Sequence, residues 1–414
     1  MSAPLAGIRV VEIASFVAVP AAGALLADLG ADVIKVEPAP GGDKTRLLHG
    51  FAAGFFGAFN RNKRGIALDV KSDEGRAVAH KLIETADVVI ENYAPGTMER
   101  LGIGYEDCKR INPQIVFCAL KGFLSGPYEN RPALDEVVQY MAGLAYMTGP
   151  PGRPLRAGSS VIDILGGTFA VVGIQAALRE RERTGKGTLV KSALFESTAF
   201  LMMQHMVGGA ITHTKQPPMP GRVGAWAIYE TFATADAEMI FIGITSDNHW
   251  RRFCDRFDRP DLLADPTLRT NEDRVRERER TVPIVTDIVR QFTLAAMSDI
   301  CQTIEIPYAP VAKPEDLFDD PQLNANGRMM KIDLPGAPGT KVPRLPVEVC
   351  DHDFNLRRQP PETGEHTPEL LAELGLGAAE IAALHAPGTA VVSLESLSSA
   401  KSSSIVGPLA PAPD

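Results

Sequence analysis

The chain has 414 residues, 45% of them apolar and 22% charged, with a formal net charge of −9. This length and composition describe a globular protein with room for two domains, or for one large and one small. The acidic balance excludes nucleic acid as the main partner and leaves open a local cationic pocket. No apolar run reaches the roughly 18 residues that span a bilayer, and the start Met1-Ser-Ala-Pro lacks the basic and apolar regions of a secretory signal. Five cysteines, Cys108, Cys118, Cys254, Cys301 and Cys350, are widely spaced, with no C-x-x-C pair and no Cys/His cluster. Neither a disulfide framework nor a metal site is expected; the chain reads as cytoplasmic and reduced, without nucleic-acid or membrane partners.

In chain order, Ile8–Ile13 is a β-branched strand, followed by a helix over Pro20–Leu29 that Gly30 closes as its C-cap. Asp32–Glu37 is a second strand and Gly65–Val70 a third. A helix over Glu74–Thr85 leads to strand Asp87–Glu91, and another strand lies near Ile115–Ala119. Strands alternating with helices predict an α/β fold with a parallel sheet covered on both faces. Apolar residues from Ile164 to Arg183 keep helical spacing. Beyond about residue 220 the texture changes to two strands within Trp226–Ile244, turning at Thr234–Glu238, and helices around His249–Phe257 and Asp273–Phe292. This predicts a small α+β domain over 221–330. The run Arg274–Arg280 reads as a solvated helix face. Pro335–Pro346 reads as a connection returning to the large domain over 331–386, and residues 387–414 as a disordered tail.

Asp163 carries the most chemical information. It lies where an apolar segment enters the long helix, with Gly166 and Gly167 behind it. A helix start offers unpaired N–H groups and positive dipole character, and glycines let something bulky approach the backbone. Asp163 is therefore either a helix cap or a nucleophile. Glu37 at the end of the second strand invites a dinucleotide-binding reading, but Ala14–Gly23 has no G-x-G-x-x-G. P-loop, H-E-x-x-H and G-x-S-x-G motifs are absent as well, and no histidine falls between residues 81 and 204. Lys35, Lys63, Arg64, Lys71 and Arg100 each read singly as surface charge. Asn92 and Tyr93, just past a strand's carboxyl end, are better placed to meet a ligand.

Several segments together resemble the family III CoA-transferases, the carnitine/bile-acid type. They are Leu29–Glu37, Asn60–Lys71, Glu91–Gly102, the Asp163 segment, Arg183–Ser192 and Glu365–Gly375, ordered over about residues 4–386. The resemblance implies a large Rossmann-like domain with a parallel sheet built from both chain ends, a smaller inserted domain, and an interlocked homodimer. It implies coenzyme A thioesters as substrates with no permanently bound cofactor. By the same matching Asp163 is the catalytic aspartate, and Val17 and Ala18 line the thioester end of the CoA site. Leu68, Lys71, Asn92, Tyr93 and Arg100 hold its nucleotide, and Asp135 lies beside the reaction centre with Gly166 and Gly167.

The related α-methylacyl-CoA racemases pair the aspartate with a histidine in the segment corresponding to Pro132–Val137. Here Leu134 stands at that place, which favours the transferase over the racemase and over a non-catalytic CoA-binding relative. Oxalate-specific members carry Gln at the place of Val17 and a glycine run that Pro218–Ala225 lacks. Ser15–Pro20 and Met147–Pro150 look more like members acting on C4–C5 dicarboxylates such as succinate, mesaconate, itaconate or citramalate. Arg153, Arg156 and Arg222 are candidates for pairing with the second carboxylate.

Overall fold

A computed structural model of the chain describes residues 3–221, 224–349, 351–384 and 391–392. Six strands, β1 (Arg9–Ile13), β2 (Asp32–Pro38), β3 (Arg64–Leu68), β4 (Val88–Glu91), β5 (Val116–Lys121) and β6 (Leu189–Ala193), form one parallel sheet in the order β3-β2-β1-β4-β5-β6. The chain first builds outward from β1 to β3, then returns to place β4 on the other side of β1. That reversal opens a crevice beyond the carboxyl ends of β1 and β4, where doubly wound sheets bind ligands. Strand β6, which the sequence reading did not assign, is short and only half-buried at its start, so no continuous apolar run marks it.

All six parallel strands come from the first 193 residues, while the large unit itself and a seventh, antiparallel strand draw on the C-terminal part. The C-terminal part supplies the helix Thr367–Glu373 and a two-residue strand, Val391–Val392, paired antiparallel with Leu68 and Ala67. These two residues fall within the segment expected to be disordered; the rest of 387–414 lies outside the described residues. Arg64 ties the returning helix down, with Nη1 at 2.8 Å from Glu369 and 2.6 Å from Glu373. Contacts divide the chain into two compact units, Met1–Pro218 together with the part from Asn326 onward, and Met219–Ala325.

Two apolar layers flank the sheet. On one side, helices α1 (Ala18–Asp28) and α4 (Val161–Thr184) pack with Val10, Val33, Val88 and Val116. On the other, α2 (Asp73–Glu84) and Leu370 and Leu371 cover Val11, Ile34, Ile66 and Val89. The 24-residue α4 is long and apolar enough, by length and composition, to cross a membrane, which corrects the expectation that no segment is. Its apolar residues Ile162, Ala170 and Ile174 are fully buried in the large unit's core.

Gly166 and Gly167 serve this packing rather than a ligand. A Cβ on Gly167 would lie 2.5 Å from the Ala18 carbonyl oxygen, and one on Gly166 would lie 3.0 Å from Leu194. Gly167 thus admits the backbone of α1, and Gly166 the side chain of Leu194. Both lie within about one helical turn of Asp163 on α4, though neither is among the residues lining the cavity described below.

The carboxyl end of the β1-β2-β3 half holds charges away from water. Glu12 bonds Lys35 at 3.2 Å and Lys63 at 2.7 Å, and Lys35 also reaches Asp43 at 2.9 Å. All four side chains are essentially unexposed, and Arg64 is nearly so. The reading of Lys35, Lys63 and Arg64 as surface charge is therefore wrong; only Lys71 and Arg100 are exposed. Burial works against the charge on Lys35, yet Glu12, Asp43 and Glu37 hold its pKa above the ordinary value. Burial wins at Lys63, whose pKa falls to about 8 against the pull of Glu12.

The small unit has the antiparallel order β7 (Ile228–Ala233), β8 (Met239–Ile244) and β9 (Tyr308–Pro310), with a core around Trp250, Phe253 and Val289. Arg274, expected on a solvated face, is buried. Its guanidinium donates to the Leu268 and Arg269 carbonyls and Asp247, and lies over the Trp250 ring. In the large unit, the connection expected at Pro335–Pro346 is part of a hairpin of Met329–Leu334 with Ala337–Pro343.

Removing one partner of a buried ion pair strands the other. Lys63→Met should cost about 3–5 kcal/mol, read from urea unfolding, and adding Glu12→Gln should recover part of the loss.

Candidate active site

The β1–α1 turn carries the first wall of the site. Phe16 adopts a left-handed backbone (φ 67°) and is exposed, an uncommon conformation for a residue with a side chain. Helix α1 then starts at Val17 and Ala18 with no side-chain cap, leaving its first-turn N–H groups without a side-chain acceptor. Asn92, just past β4, secures this turn from the neighbouring strand. Its Oδ1 accepts from the Ser15 N–H at 3.2 Å, and its Nδ2 donates to the Ser15 carbonyl at 2.8 Å. The amide proposed from sequence to meet a ligand is thus largely engaged in holding the crevice's edge. Tyr93 follows it, its N–H bonded to Glu91 and its carbonyl to Lys121. Lys121 Nζ is also 2.6 Å from Glu91.

Asp163 is the third residue of α4, and Ser160, which precedes that helix, makes no side-chain cap. The cap comes from elsewhere. Asp135 opens helix α3 (Asp135–Met141) and directs Oδ2 at the backbone N–H groups of Ile162 (2.8 Å) and Asp163 (3.0 Å). Its Oδ1 accepts from Gln139, whose own carbonyl oxygen accepts from the Ala157 N–H at 2.8 Å. Asp135 and Gln139, four residues apart on one helical face, therefore brace the whole approach to Asp163. With the donors at the start of α4 satisfied, the Asp163 carboxylate accepts no hydrogen bond from the described residues. Burial, then the negative charges of Asp135 and Glu136, push its pKa up to about 7.

These residues line one cavity of about 440 Å³ at the carboxyl ends of β1, β4, β5 and β6, bounded by Val17, Ala18, Asn92, Tyr93, Asp135 and Asp163. Sequence reasoning missed Phe16, Phe51 and Phe55, which with Leu134 make much of this wall apolar, and it missed Gln139 behind Asp135. Only the i,i+4 spacing from Asp135 could have pointed to Gln139. No histidine is among the described residues lining the cavity, and no metal-holding cluster exists among the described residues.

Leu68, Lys71 and Arg100 lie outside this cavity. Leu68 is a buried core residue at the end of β3; Lys71 and Arg100 follow β3 and β4, exposed and without ion pairs among the described residues. Of the arginines considered for a second carboxylate, Arg153 is exposed and does not line the cavity. Arg156 pairs with Glu136 at 3.1 Å and lies over Phe51. Arg222 is outside the described residues.

Asp163 thus presents a carboxylate with no hydrogen-bond donor among the described residues, in a crevice at the carboxyl end of a doubly wound sheet. The sequence matches CoA-transferase family III over residues 5–367, and the chain belongs to that family. It is 35% identical over 393 residues to the succinate–glutarate CoA-transferase of Agrobacterium fabrum, covering 90% of this chain and 96% of the relative. It is 32% identical over 377 residues to the succinyl-CoA:glutarate CoA-transferase of Mus musculus, covering 90% and 86%. A CaiB/BaiF family protein from Brucella suis superposes with a TM-score of 0.82 at 33% identity, covering 90% of this chain and all of that one.

If Asp163 is the nucleophile, it attacks only as its anion, and kcat/KM for the acyl-CoA donor should fall as pH drops below about 7. Glu136→Gln removes a raising charge and should move this acid limb to lower pH. The folded pKa stands above the ordinary carboxylate value, so ionised Asp163 opposes folding, fully so above about pH 7. Asp163→Asn should therefore raise Tm at pH 8 and much less at pH 5.

Proposed function

We propose that this protein moves CoA between an acyl-CoA thioester and a carboxylic acid, with C4–C5 dicarboxylates of the succinate and glutarate type as acids. The observation that carries this reading is Asp163, whose carboxylate has no donor among the described residues while Asp135 takes the helix-start N–H groups. The attacking oxygen of Asp163 bonds the thioester carbonyl carbon, the C–S bond breaks, and CoA leaves as thiolate, giving a mixed anhydride. The thiolate then attacks the aspartyl carbonyl and expels the donor acid as carboxylate, leaving an aspartyl-CoA thioester. An acceptor carboxylate reverses the two steps and departs as the new CoA ester. One thioester is exchanged for another, so the chemistry calls for no ATP, metal or resident cofactor.

Both intermediates hydrolyse in water, and the aromatic wall of Phe16, Phe51 and Phe55 supports its exclusion. Val17 and Ala18 would receive the thioester end, where uncapped N–H groups can stabilise an oxyanion. Lys71 and Arg100, exposed cations beyond β3 and β4, suit the nucleotide phosphates, with Leu68, Asn92 and Tyr93 shaping that approach. A homodimer, interlocked as in related enzymes, is part of the proposal. It is supported by the unpartnered apolar face of α5 (Leu194–Thr212), where Phe200, Met203, Val207 and Ile211 are exposed at helical spacing.

Racemisation has less support, because no histidine is among the described residues lining the cavity beside Asp163. It would show as deuterium entry at the acyl α-carbon without an acceptor.

Incubation with succinyl-CoA followed by borohydride or hydroxylamine should place the modification on Asp163, read by peptide mass spectrometry. Asp163→Ala should lower transfer by at least about 10³-fold. Label on another residue, or an active alanine variant, rejects the mechanism.

A further inference from the structure

The charged groups of the cavity are unevenly balanced. Glu129, Asp135, Glu136 and Asp163 line it, against two cations, Lys121 and Arg131. Lys121 is held by Glu91 and the Tyr93 carbonyl. Arg131 has no carboxylate partner among the described residues, so it is the cavity's available cation.

The backbone beneath it is anchored. Arg131 N–H donates to the Tyr128 carbonyl at 2.8 Å, and Pro132 follows. Tyr128 packs against Phe123 and Phe195, with centroids 5.6 and 6.2 Å away, and the Arg131 guanidinium lies 5.8 Å from the Tyr128 ring. Four residues on, Asp135 carries the start of the helix that presents Asp163. The exposed guanidinium of Arg131 therefore rises from an anchored backbone and lines the same cavity as Asp163.

A dicarboxylate entering beside four acids brings two negative charges. One is consumed as its carboxylate attacks the aspartyl thioester; the other needs a cation that no acid already holds. Resting on the dicarboxylate transfer proposed above, we propose that Arg131 is the specificity-determining residue that receives the distal carboxylate of the acid. A guanidinium can do so through two parallel N–H···O bonds. The arginines singled out from sequence do not fill this role within the described residues, since Arg156 is already paired and Arg153 does not line the cavity.

The test is internal competition. Enzyme and succinyl-CoA are given equal glutarate and pentanoate, and the ratio of glutaryl-CoA to pentanoyl-CoA is read by mass spectrometry. Both acids meet the same aspartyl-CoA intermediate, so the ratio reports acceptor choice whatever a substitution does to the donor. The native enzyme should favour glutarate strongly. Arg131→Met should lower the ratio roughly 10- to 100-fold, and Arg131→Lys should retain part of it. Arg131→Glu should turn preference toward 5-aminopentanoate, a gain that a misfolded variant cannot show. A ratio unchanged in Arg131→Met, including an equal fall of both products, overturns the assignment while leaving CoA transfer intact. If the native enzyme makes pentanoyl-CoA as readily as glutaryl-CoA, the dicarboxylate reading fails and takes this one with it. If it makes neither while Asp163 still becomes labelled by the donor, the acid class is wrong and the nucleophile right.

Discussion

The site depends on a charge cluster that never meets substrate. Glu12 near the end of β1 is shared by Lys35 from β2 and Lys63 from the approach to β3, and each lysine also holds backbone of the β1–α1 turn or helix start. Lys35 donates to the Ala14 carbonyl and Lys63 to the Pro20 carbonyl, at 3.0 and 2.9 Å. The turn between those carbonyls contains Phe16 and Val17. An unusual backbone conformation there persists only if its surroundings fix it, and these two ammonium groups do so from beneath. Helix α1 must lie close for this. Gly23 shows how close, since a Cβ there would stand 1.9 Å from a Glu12 oxygen.

A second arrangement governs the nucleophile. A carboxylate near a helix start usually bonds the first N–H groups, and such bonds would hold its charge and blunt its attack. Here Asp135 occupies those donors from another segment. The substitution of one acid for another leaves the helix capped and the Asp163 oxygens available. It also places a like charge nearby, which raises the Asp163 pKa and makes the anion more basic. Capping and nucleophilicity, alternatives when Asp163 is considered alone, are divided between two residues 28 positions apart.

Much of the scaffold was legible because its signals are local. Runs such as Asp32–Glu37, and Gly30 with its positive φ after α1, mark strand and helix end directly. Asp163 was legible as a residue but its hydrogen-bond state was not, since the group that relieves it lies in a different helix. Lys35, Lys63 and Arg274 look in sequence like any surface cation. Their burial follows from the acids and carbonyls that the fold brings to them, and no spacing rule encodes such distant partners. The paired glycines are sites of close approach, Gly167 to backbone of α1 and Gly166 to the side chain of Leu194.

These constraints give the cavity its economy of charge. Its acids are needed for chemistry and for capping, so they repel the very anions the reaction exchanges. A wall made wholly of paired ions would leave that repulsion standing; a wall of many free cations would neutralise Asp163 and weaken its attack. One guanidinium, four residues before Asp135 and lacking a carboxylate partner among the described residues, is the cation proposed to resolve the conflict. It can favour an acid with a second charge without donating to the nucleophile. Placement of that single cation, rather than total charge, then decides which acids compete for the intermediate.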